Sequence, residues 1–289
     1  MTQRALARAK VNLTLHVTGR RADGYRLLDS LVVFPEIGDE VRVKAAQTLS
    51  LSIEGQFANL LESEPDNLVL QAARLLGPGR GAAIGLKKNL PVASGIGGGS
   101  ADAAAALRGL SRHWDIPLGA IDALTLGADV PVCQASHTSR MQGIGDVLTP
   151  VDGLPAFWIV LVNRGVAVPT SEIFNRLDSE DNPKMPGRIP DFGSIAQMAD
   201  WLAGQRNDLQ GAAILTEPGI ADVLTALGSQ NGCLLARMSG SGGTCFGIFN
   251  NVLDSVSCVD TLQRAQPNWW AMAAPVRAGL RDARHDEFR

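Results

Sequence analysis

The chain is poor in the residues that build metal centres and disulfide frameworks. Its 289 residues include only four cysteines and four histidines. The cysteines form no CxxC pair and the histidines form no HExxH motif, so neither a structural zinc site nor a disulfide-linked fold is indicated. This cysteine usage is typical of a reducing compartment, and we expect a cytoplasmic protein.

The chain also lacks a basic block and a long apolar run. Lysine and arginine together number 26 against 29 acidic residues, which gives a net charge of −3. That balance argues against nucleic acid as a partner. No stretch reaches the roughly 18 apolar residues of a membrane span, and the N-terminal segment MTQRALARAK lacks the apolar run of a signal peptide. We therefore expect a globular protein with neither a nucleic-acid nor a membrane partner.

The hydrophobic pattern mixes strands and helices irregularly. The segment AKVNLTLHV, residues 9–17, alternates apolar and polar residues and predicts one half-buried strand. Residues 27–46 predict two strands that pair with each other across a turn at Gly38 and Asp39. The other expected elements are helices at about 68–76, 100–112 and 119–126, strands at 82–90 and 157–162, and an exposed loop at 178–193. The length suggests two domains, residues 1–152 and 153–289.

The most informative segment is PVASGIGGGSADAAAAL, residues 91–107, in which four glycines lead into an alanine-rich helix. Glycines permit positive φ angles and close backbone approach, and the first turn of a helix presents unpaired N–H groups and the positive end of its dipole. Such a site favours phosphate. The segment has neither the lysine of GxxxxGK[ST] nor the third glycine of GxGxxG. The alternative is a tight turn before a packed helix, with Ser100 as its N-cap.

Three segments together carry a resemblance to a known family. They are AKVNLTLHVTGRRADGY, then PVASGIGGGSADAA with the downstream LGADVPV, and finally MSGSGGTCF. In order and separation they resemble the three motifs of the GHMP kinases, named for galactose, homoserine, mevalonate and phosphomevalonate kinases. The resemblance covers most of the chain. It implies an α+β fold of two domains with the active site between them, the first resembling ribosomal S5 domain 2 and the second ferredoxin-like.

The resemblance also implies an activity. GHMP kinases transfer the γ-phosphoryl group of ATP, bound with Mg²⁺, to an alcohol. AKVNL, DGY, PTSEIF and LTLGADVPV are similar to the members that phosphorylate the 2-hydroxyl of a cytidine diphosphate-linked polyol in the non-mevalonate route to isoprenoid precursors. We expect such a kinase, as a monomer or weak homodimer. The alternatives are a GHMP kinase for another alcohol and a non-catalytic ligand-sensing homologue; retention of Lys10 and Asp129 argues against the second.

The same resemblance implies site residues, position by position. It assigns catalysis to Lys10 and Asp129. The implied nucleotide-binding residues lie near the base or around the phosphates and are Asn67, Lys88, Pro91, Ser94, Gly95, Gly97, Gly98, Gly99, Ser100 and Ala101. The implied substrate-binding residues are Asn12, Tyr25, Arg26, Thr170, Phe174, Gly240 and Ser241. The protein ligands of Mg²⁺ stay unassigned, with Ser100 as the best candidate.

The catalytic pair also has a physical basis in the sequence. Lys10 lies on the polar side of the alternating N-terminal segment, and Asp129 is a lone carboxylate at the start of an apolar run, Val130–Cys133. Burying that carboxylate is costly without a cation, which Lys10 can supply. A carboxylate paired with a cation is too weak a base to strip an alcohol in the ground state. We therefore expect Asp129 to orient the hydroxyl and take its proton late, while Lys10 stabilises charge on the transferred group.

One position departs from the family pattern. The DGYH motif of the related kinases stands here as DGYR, so Arg26 takes the place of a histidine that hydrogen-bonds the cytosine edge. Imidazole donates and accepts, whereas guanidinium only donates. Arg26 can donate to the ring acceptors of cytosine, but it cannot accept from the exocyclic amine, so discrimination of cytosine requires a backbone carbonyl as the acceptor. Tyr25 and Phe174 are expected to stack on the pyrimidine.

Overall fold

The computed structural model describes residues 2–61 and 66–278 and groups them into two compact units. Unit one contains residues 2–10, 37–61, 66–92 and 97–136, and unit two contains residues 11–36, 93–96 and 137–278. The two units are not separated by a single boundary after residue 152. Residues 11–36, 93–96 and 137–152 group with the C-terminal half of the chain. The boundary at 152 stays a prediction for the family domains.

The strands are β1 (Gln3–Arg8), β2 (Val11–Asn12), β3 (His16–Arg20), β4 (Arg26–Val33), β5 (Gly38–Lys44), β6 (Leu49–Glu54), β7 (Ala82–Lys87), β8 (Ser139–Gly143), β9 (Val147–Pro150), β10 (Phe157–Asn163), β11 (Cys233–Met238), β12 (Thr244–Phe249) and β13 (Trp270–Val276). The α-helices are α1 (Leu68–Leu76), α2 (Gly98–Trp114), α3 (Val130–Ala135), α4 (Thr170–Asn175), α5 (Ile195–Ala203), α6 (Gln210–Thr216), α7 (Gly219–Gly228) and α8 (Val252–Ala265). In the described ranges no helix is long and apolar enough to cross a membrane.

Unit one packs α1 and α2 on a four-stranded sheet of order β1-β5-β7-β6, in which only the β6–β7 pair is parallel. The predicted helix at 68–76 is confirmed, because Asn67 caps its first turn and Gly77 ends it. Helix α2 buries most of its alanines and runs against β1 and β5. Small side chains let that helix lie close to the sheet, so its N-terminus is held in a fixed position.

Unit two contains two sheets. One has the order β11-β12-β10-β13 with helices between β10 and β11 and between β12 and β13. This βαββαβ arrangement is the ferredoxin-like topology that the family resemblance implies. The other sheet has the order β2-β4-β8-β9, with β3 also paired to β4. The expected α+β class is confirmed in both units.

The expected half-buried strand at 9–17 is wrong. The segment forms the two short strands β2 and β3, and its polar side is buried as well as its apolar side. Asn12 and Thr14 are fully buried. The Asn12 amide donates to Ser30 Oγ at 2.7 Å, and His16 Nδ1 donates to the Pro183 carbonyl at 3.1 Å. Strand periodicity cannot reveal that a distant segment covers the polar face.

Two further expectations are wrong. Strands β4 and β5 do not pair with each other, because β5 joins β1 and β7 while β4 joins β2, β3 and β8. The expected helix at 119–126 is two 3-10 turns, Leu118–Ala120 and Ala123–Leu126. Asp122 separates them, since its carboxylate accepts from the Leu124 backbone N–H at 3.0 Å and starts a new turn.

The segment 178–193 is more anchored than its polar, proline-rich composition predicts. Met185 is 3% exposed, and its N–H donates to Asp29 Oδ2 at 3.1 Å. Arg140 binds the same carboxylate through two N–H groups at 2.8 and 2.6 Å. The remaining donors of Arg140 reach the carbonyls of Met185, Pro186 and Gly187. One buried guanidinium therefore fixes this segment to the sheet.

We expect Arg140→Met to lower the free energy of unfolding by about 3–5 kcal/mol, because it leaves the Asp29 carboxylate buried without its cation. Urea unfolding measures this loss. The control is Arg188→Met, whose side chain is 84% exposed and pairs with the exposed Asp191. It should change stability by less than about 1 kcal/mol. Equal losses in the two variants would contradict the assignment of Arg140 as the anchor.

Candidate active site

Unit one brings the two predicted catalytic residues into contact. Lys10 Nζ lies 2.8 Å from Asp129 Oδ1, with the lysine side chain 6% exposed and the aspartate 36% exposed. Asp129 precedes α3, whose second residue is Pro131, so the chain turns at the carboxylate instead of continuing a helix through it. The ammonium is thus nearly buried while the carboxylate stays open to a partner. This is the pairing that the sequence predicts.

The glycine segment forms the N-terminus of α2. The helix begins at Gly98, two residues before the expected start, and its N-cap is Gly97 in the left-handed conformation, φ 63°. Ser100 is therefore in the first turn and is not the N-cap. Gly97 has no side chain to satisfy the first N–H groups, which point out of the helix end. A Cβ at Gly97 would lie 3.3 Å from Lys10 Cβ, so this helix end adjoins the Lys10–Asp129 pair.

The Lys88 side chain lies under the same helix end, in a buried cluster with two carboxylates. Its Nζ donates to Asp39 Oδ2 at 2.5 Å and to Asp102 Oδ2 at 2.8 Å. Asp39 Oδ1 accepts from the backbone N–H groups of Asn89 and Leu90, at 2.6 and 2.9 Å. The cluster joins the start of β5, the end of β7 and the N-terminal part of α2. Sequence analysis missed Asp39, which follows a turn-forming glycine and has no other local signal.

Burial and the neighbouring charges shift the pKa values of two groups in this cluster. Burial alone would lower the pKa of Lys88, but the charges of Asp102 and Asp39 outweigh it and raise that pKa above its ordinary value. Burial raises the pKa of Asp102 well above its ordinary value, even with the ammonium beside it. The Lys88 ammonium and the two acidic side chains form a buried ionic cluster that supports the helix end.

Asn67 and Lys88 were predicted near the nucleotide base, and the structure gives both a local contact. Asn67 Oδ1 accepts from the Val69 backbone N–H at 2.9 Å and caps α1. Lys88 is 2% exposed and its ammonium is held by Asp39 and Asp102. Their side chains thus position helices, and the nucleotide role stays a prediction.

In unit two, residues 93–96 of the glycine segment contact the hairpin loop 239–243. Ser239 Oγ donates to the Gly95 carbonyl at 3.1 Å and accepts from the Asn12 backbone N–H at 3.1 Å. A Cβ at Gly95 would lie 2.3 Å from the Gly242 carbonyl oxygen, and one at Gly240 would lie 2.5 Å from the Gly95 carbonyl oxygen. Only glycine permits this backbone contact. The two predicted glycine loops therefore meet directly.

The predicted phosphate-binding and substrate-binding residues differ in accessibility. Pro91, Ser94 and Ala101 are buried, and Asn12 is fully buried. Gly99 is exposed, and Gly98 and Ser100 are half-buried. Thr170 Oγ1 and Ser241 Oγ form a hydrogen bond of 2.7 Å on the surface of unit two. Exposed backbone at the start of α2 and exposed hydroxyls on unit two are thus available to a ligand.

A second cluster in unit two contains Tyr25, Arg26 and Phe174. Tyr25, next to β4, is 57% exposed. Arg26 Cζ lies 5.8 Å from the centre of the Phe174 ring, and Arg26 Nη2 forms an ion pair with Glu180 Oε1. The structure therefore brings Phe174 to Arg26, the chain neighbour of Tyr25, and all three residues were predicted to bind substrate. Glu180 was missed, because nothing in its local sequence separates it from other acidic residues of a polar loop.

The four cysteines are free thiols. Burial raises the pKa of Cys133 and of Cys245 to about 12, so both are protonated at neutral pH. The residues described here contain no group of three His, Cys, Asp or Glu side chains able to hold a metal ion.

Comparison with known proteins gives consistent matches along the chain. Residues 67–153 match the family model for the GHMP kinases N terminal domain, and residues 188–263 match the model for GHMP kinases C terminal. A 4-diphosphocytidyl-2-C-methyl-D-erythritol kinase of Cereibacter sphaeroides is 54% identical over 268 residues, 92% of this chain and 96% of that protein. A protein of the same name from Ruegeria pomeroyi is 56% identical over 273 residues, 93% and 98% of the two chains.

Solved structures give matches over a similar extent. A crystal structure of 4-(cytidine 5'-diphospho)-2C-methyl-D-erythritol kinase matches with a TM-score of 0.78 at 30% identity, over 96% of this chain and 100% of that one. A homoserine kinase from Cytophaga hutchinsonii matches with a TM-score of 0.62 at 15% identity, over 96% and 95% of the chains. The second likeness is one of fold alone.

We expect Lys88→Met to lower the free energy of unfolding by about 3–5 kcal/mol in the absence of nucleotide, since it removes the cation between two buried carboxylates. Urea unfolding followed by circular dichroism measures the loss. Lys87→Met is the matched control, because Lys87 is the preceding residue and its side chain is on the half-buried face of β7. That change should stay within about 0.5 kcal/mol. A Lys88→Met protein as stable as the control would refute the supporting role of the cluster.

Proposed function

The chain belongs to the GHMP kinase family, and from that premise we propose that it transfers the γ-phosphoryl group of ATP to the 2-hydroxyl of 4-diphosphocytidyl-2-C-methyl-D-erythritol. It is a kinase of a small-molecule substrate, and the reaction is a step of the non-mevalonate route to isoprenoid precursors. The observation that carries the proposal is the Lys10–Asp129 ion pair beside the N-terminus of α2.

The start of α2 binds the phosphates of ATP. Backbone N–H groups of Gly98, Gly99 and Ser100 lie in the first helical turn, where the helix itself provides no acceptor. They donate to phosphate oxygens, and the positive end of the helix dipole adds to the attraction. Pro91, Ser94, Gly95 and Ala101 shape the loop through backbone and packing. Asn67 and Lys88 support the nucleotide by holding α1 and α2 in place.

Magnesium would enter this site with the nucleotide. Mg²⁺ in kinases is typically held through substrate phosphates and water, with few protein groups. The hydroxyl of Ser100, in the first turn of α2, is the protein group that we assign to it. When bound, the ion would supply positive charge that offsets the negative charge of the phosphates.

Lys10 and Asp129 act on the transferred group and on the acceptor hydroxyl. The Lys10 ammonium lies beside the helix end that binds phosphate, so it stabilises negative charge on the γ-phosphoryl oxygens during transfer. Asp129 is the more exposed partner and accepts a hydrogen bond from the substrate 2-hydroxyl. As the new P–O bond forms and the bond to ADP breaks, the hydroxyl proton passes to the Asp129 carboxylate and then to water. Positioning and charge thus contribute more than ground-state deprotonation.

The acceptor binds through residues of unit two. Tyr25 and Phe174 present aromatic faces to the pyrimidine, and Arg26 donates to its edge. The Thr170 and Ser241 hydroxyls, with the Gly240 backbone, contact the diphosphate and polyol. Asn12 contributes by holding Ser239 through its backbone N–H. The second candidate function is phosphorylation of a different alcohol. It is a candidate because Arg26 stands where the related kinases have a histidine.

We expect Asp129→Asn to lower kcat by about 10²- to 10⁴-fold, and Lys10→Ala by about 10²- to 10³-fold, because each removes a group that acts in the transition state. A coupled assay of ADP release measures both. Asp122→Asn is the control, since Asp122 is an exposed acid in a nearby turn and asparagine also caps such turns. Full activity in Asp129→Asn would overturn the proposed mechanism.

The acceptor is tested by ADP release with a panel of alcohols. We expect release with 4-diphosphocytidyl-2-C-methyl-D-erythritol and not with homoserine, mevalonate or galactose, because the site carries aromatic and edge-binding groups for a nucleobase. ³¹P NMR of the product should place the new phosphomonoester on the 2-hydroxyl. Turnover of another alcohol without turnover of the cytidyl compound would select the second candidate.

A further inference from the structure

Arg26 is held in a fixed orientation and keeps donors for a ligand. Its side chain is 14% exposed. One terminal nitrogen donates to the Gly24 carbonyl at 3.0 Å, and the other is paired with Glu180. A guanidinium carries five N–H donors, so N–H donors remain beyond these two contacts. Arg26 Nε is buried, and among the residues described it has no hydrogen-bond partner.

Glu180 supplies a hydrogen-bond acceptor, which the Arg26 side chain lacks. Its carboxylate is 33% exposed and lies between Arg26 and Arg20, whose Nη1 is 3.8 Å from Oε2. A carboxylate has about four lone-pair sites, and two cationic partners do not fill them. Glu180 can therefore accept a further hydrogen bond at the place where Arg26 donates.

We propose that Arg26 and Glu180 together read the cytosine edge of the acceptor, a specificity that rests on the proposed function. Arg26 donates to the ring nitrogen N3 and the carbonyl O2, and the Glu180 carboxylate accepts from the exocyclic N4 amine. The pair replaces one histidine by separate donor and acceptor residues. Uracil has a carbonyl oxygen in place of the amine, so it would put an acceptor against the carboxylate.

The backbone around Glu180 is fixed before substrate binds. Asp181 forms a β-bridge with Thr18, and the Asn182 N–H donates to the Val17 carbonyl at 3.0 Å. These contacts attach the segment to the strand β3, which leads into the hairpin that carries Arg26. Because the carboxylate is pre-positioned, little ordering is left to oppose binding of the base.

A purely structural ion pair predicts a different behaviour. The pair is partly buried, so removing Glu180 is expected to lower stability whether or not Glu180 contacts the base. If the ion pair had only a structural role, removing Glu180 would leave the preference for cytosine over uracil unchanged. The ratio of activities on two bases therefore separates the two roles, and the melting temperature shows whether the variant is folded.

The experiment compares the wild-type chain with Glu180→Ala and Glu180→Gln, using the cytidyl substrate and its uridyl analogue. We expect Glu180→Ala to lower kcat/KM for the cytidyl compound by about 10- to 100-fold, mainly through KM, with little loss for the uridyl compound. Glu180→Gln retains a carbonyl acceptor and should lose less. Asp178→Ala removes an exposed acid two residues away and should behave as wild type.

Competition binding of CDP against UDP adds a readout that needs no turnover. Glu180→Ala should lose the wild-type preference for CDP. An unchanged cytidyl-to-uridyl ratio in a folded Glu180→Ala protein would overturn the Arg26–Glu180 pair while leaving the kinase assignment intact. A wild-type chain that releases ADP with neither compound would refute the proposed function instead, and the CDP preference would still decide the pair.

Discussion

The ammonium of Lys88, buried between Asp39 and Asp102, is the interaction on which the phosphate end of α2 depends. It joins the start of β5, the end of β7 and the N-terminal part of α2. Asp39 also binds the two backbone N–H groups that follow Lys88, so the chain enters the glycine segment in a set direction. A helix end presents its N–H groups usefully only if it cannot tilt. The cluster supplies that rigidity at a site which has no side-chain cap of its own.

The Lys10–Asp129 pair likewise depends on a side chain that is buried and fixed in position. Lys10 is buried against the backbone of Gly97 while Asp129 remains accessible, so one partner is fixed and the other is available for chemistry. A lysine at the surface would lose much of its electrostatic effect to solvent and salt. Here the absence of a side chain at Gly97 brings the cation next to the helix terminus. Position and burial, more than the identity of the residues, make the pair suited to stabilise transferred charge.

Local signals predicted what depends on neighbours in sequence. Helix α1 was predicted at its observed bounds from the helical spacing of residues 68–76 and the break that begins at Gly77, and the alanine run after the glycines predicted α2 to within two residues of its start. The pairing of β4 and β5 failed because strand partners are chosen by the whole sheet. The buried polar face at Asn12 and Thr14, the acidic partner Asp39 and the contact of Glu180 with Arg26 all arise from segments distant in the chain, and no local pattern encodes them.

The contact between Gly95 and the loop 239–243 requires glycine on both sides. At both Gly95 and Gly240 a side chain would collide with backbone atoms of the other loop, and no ligand is involved in that collision. Selection on folding alone would therefore keep these glycines in a descendant that had lost its catalytic activity. Retention of these two glycines in a related chain would therefore reflect packing, and it would not by itself indicate catalytic activity.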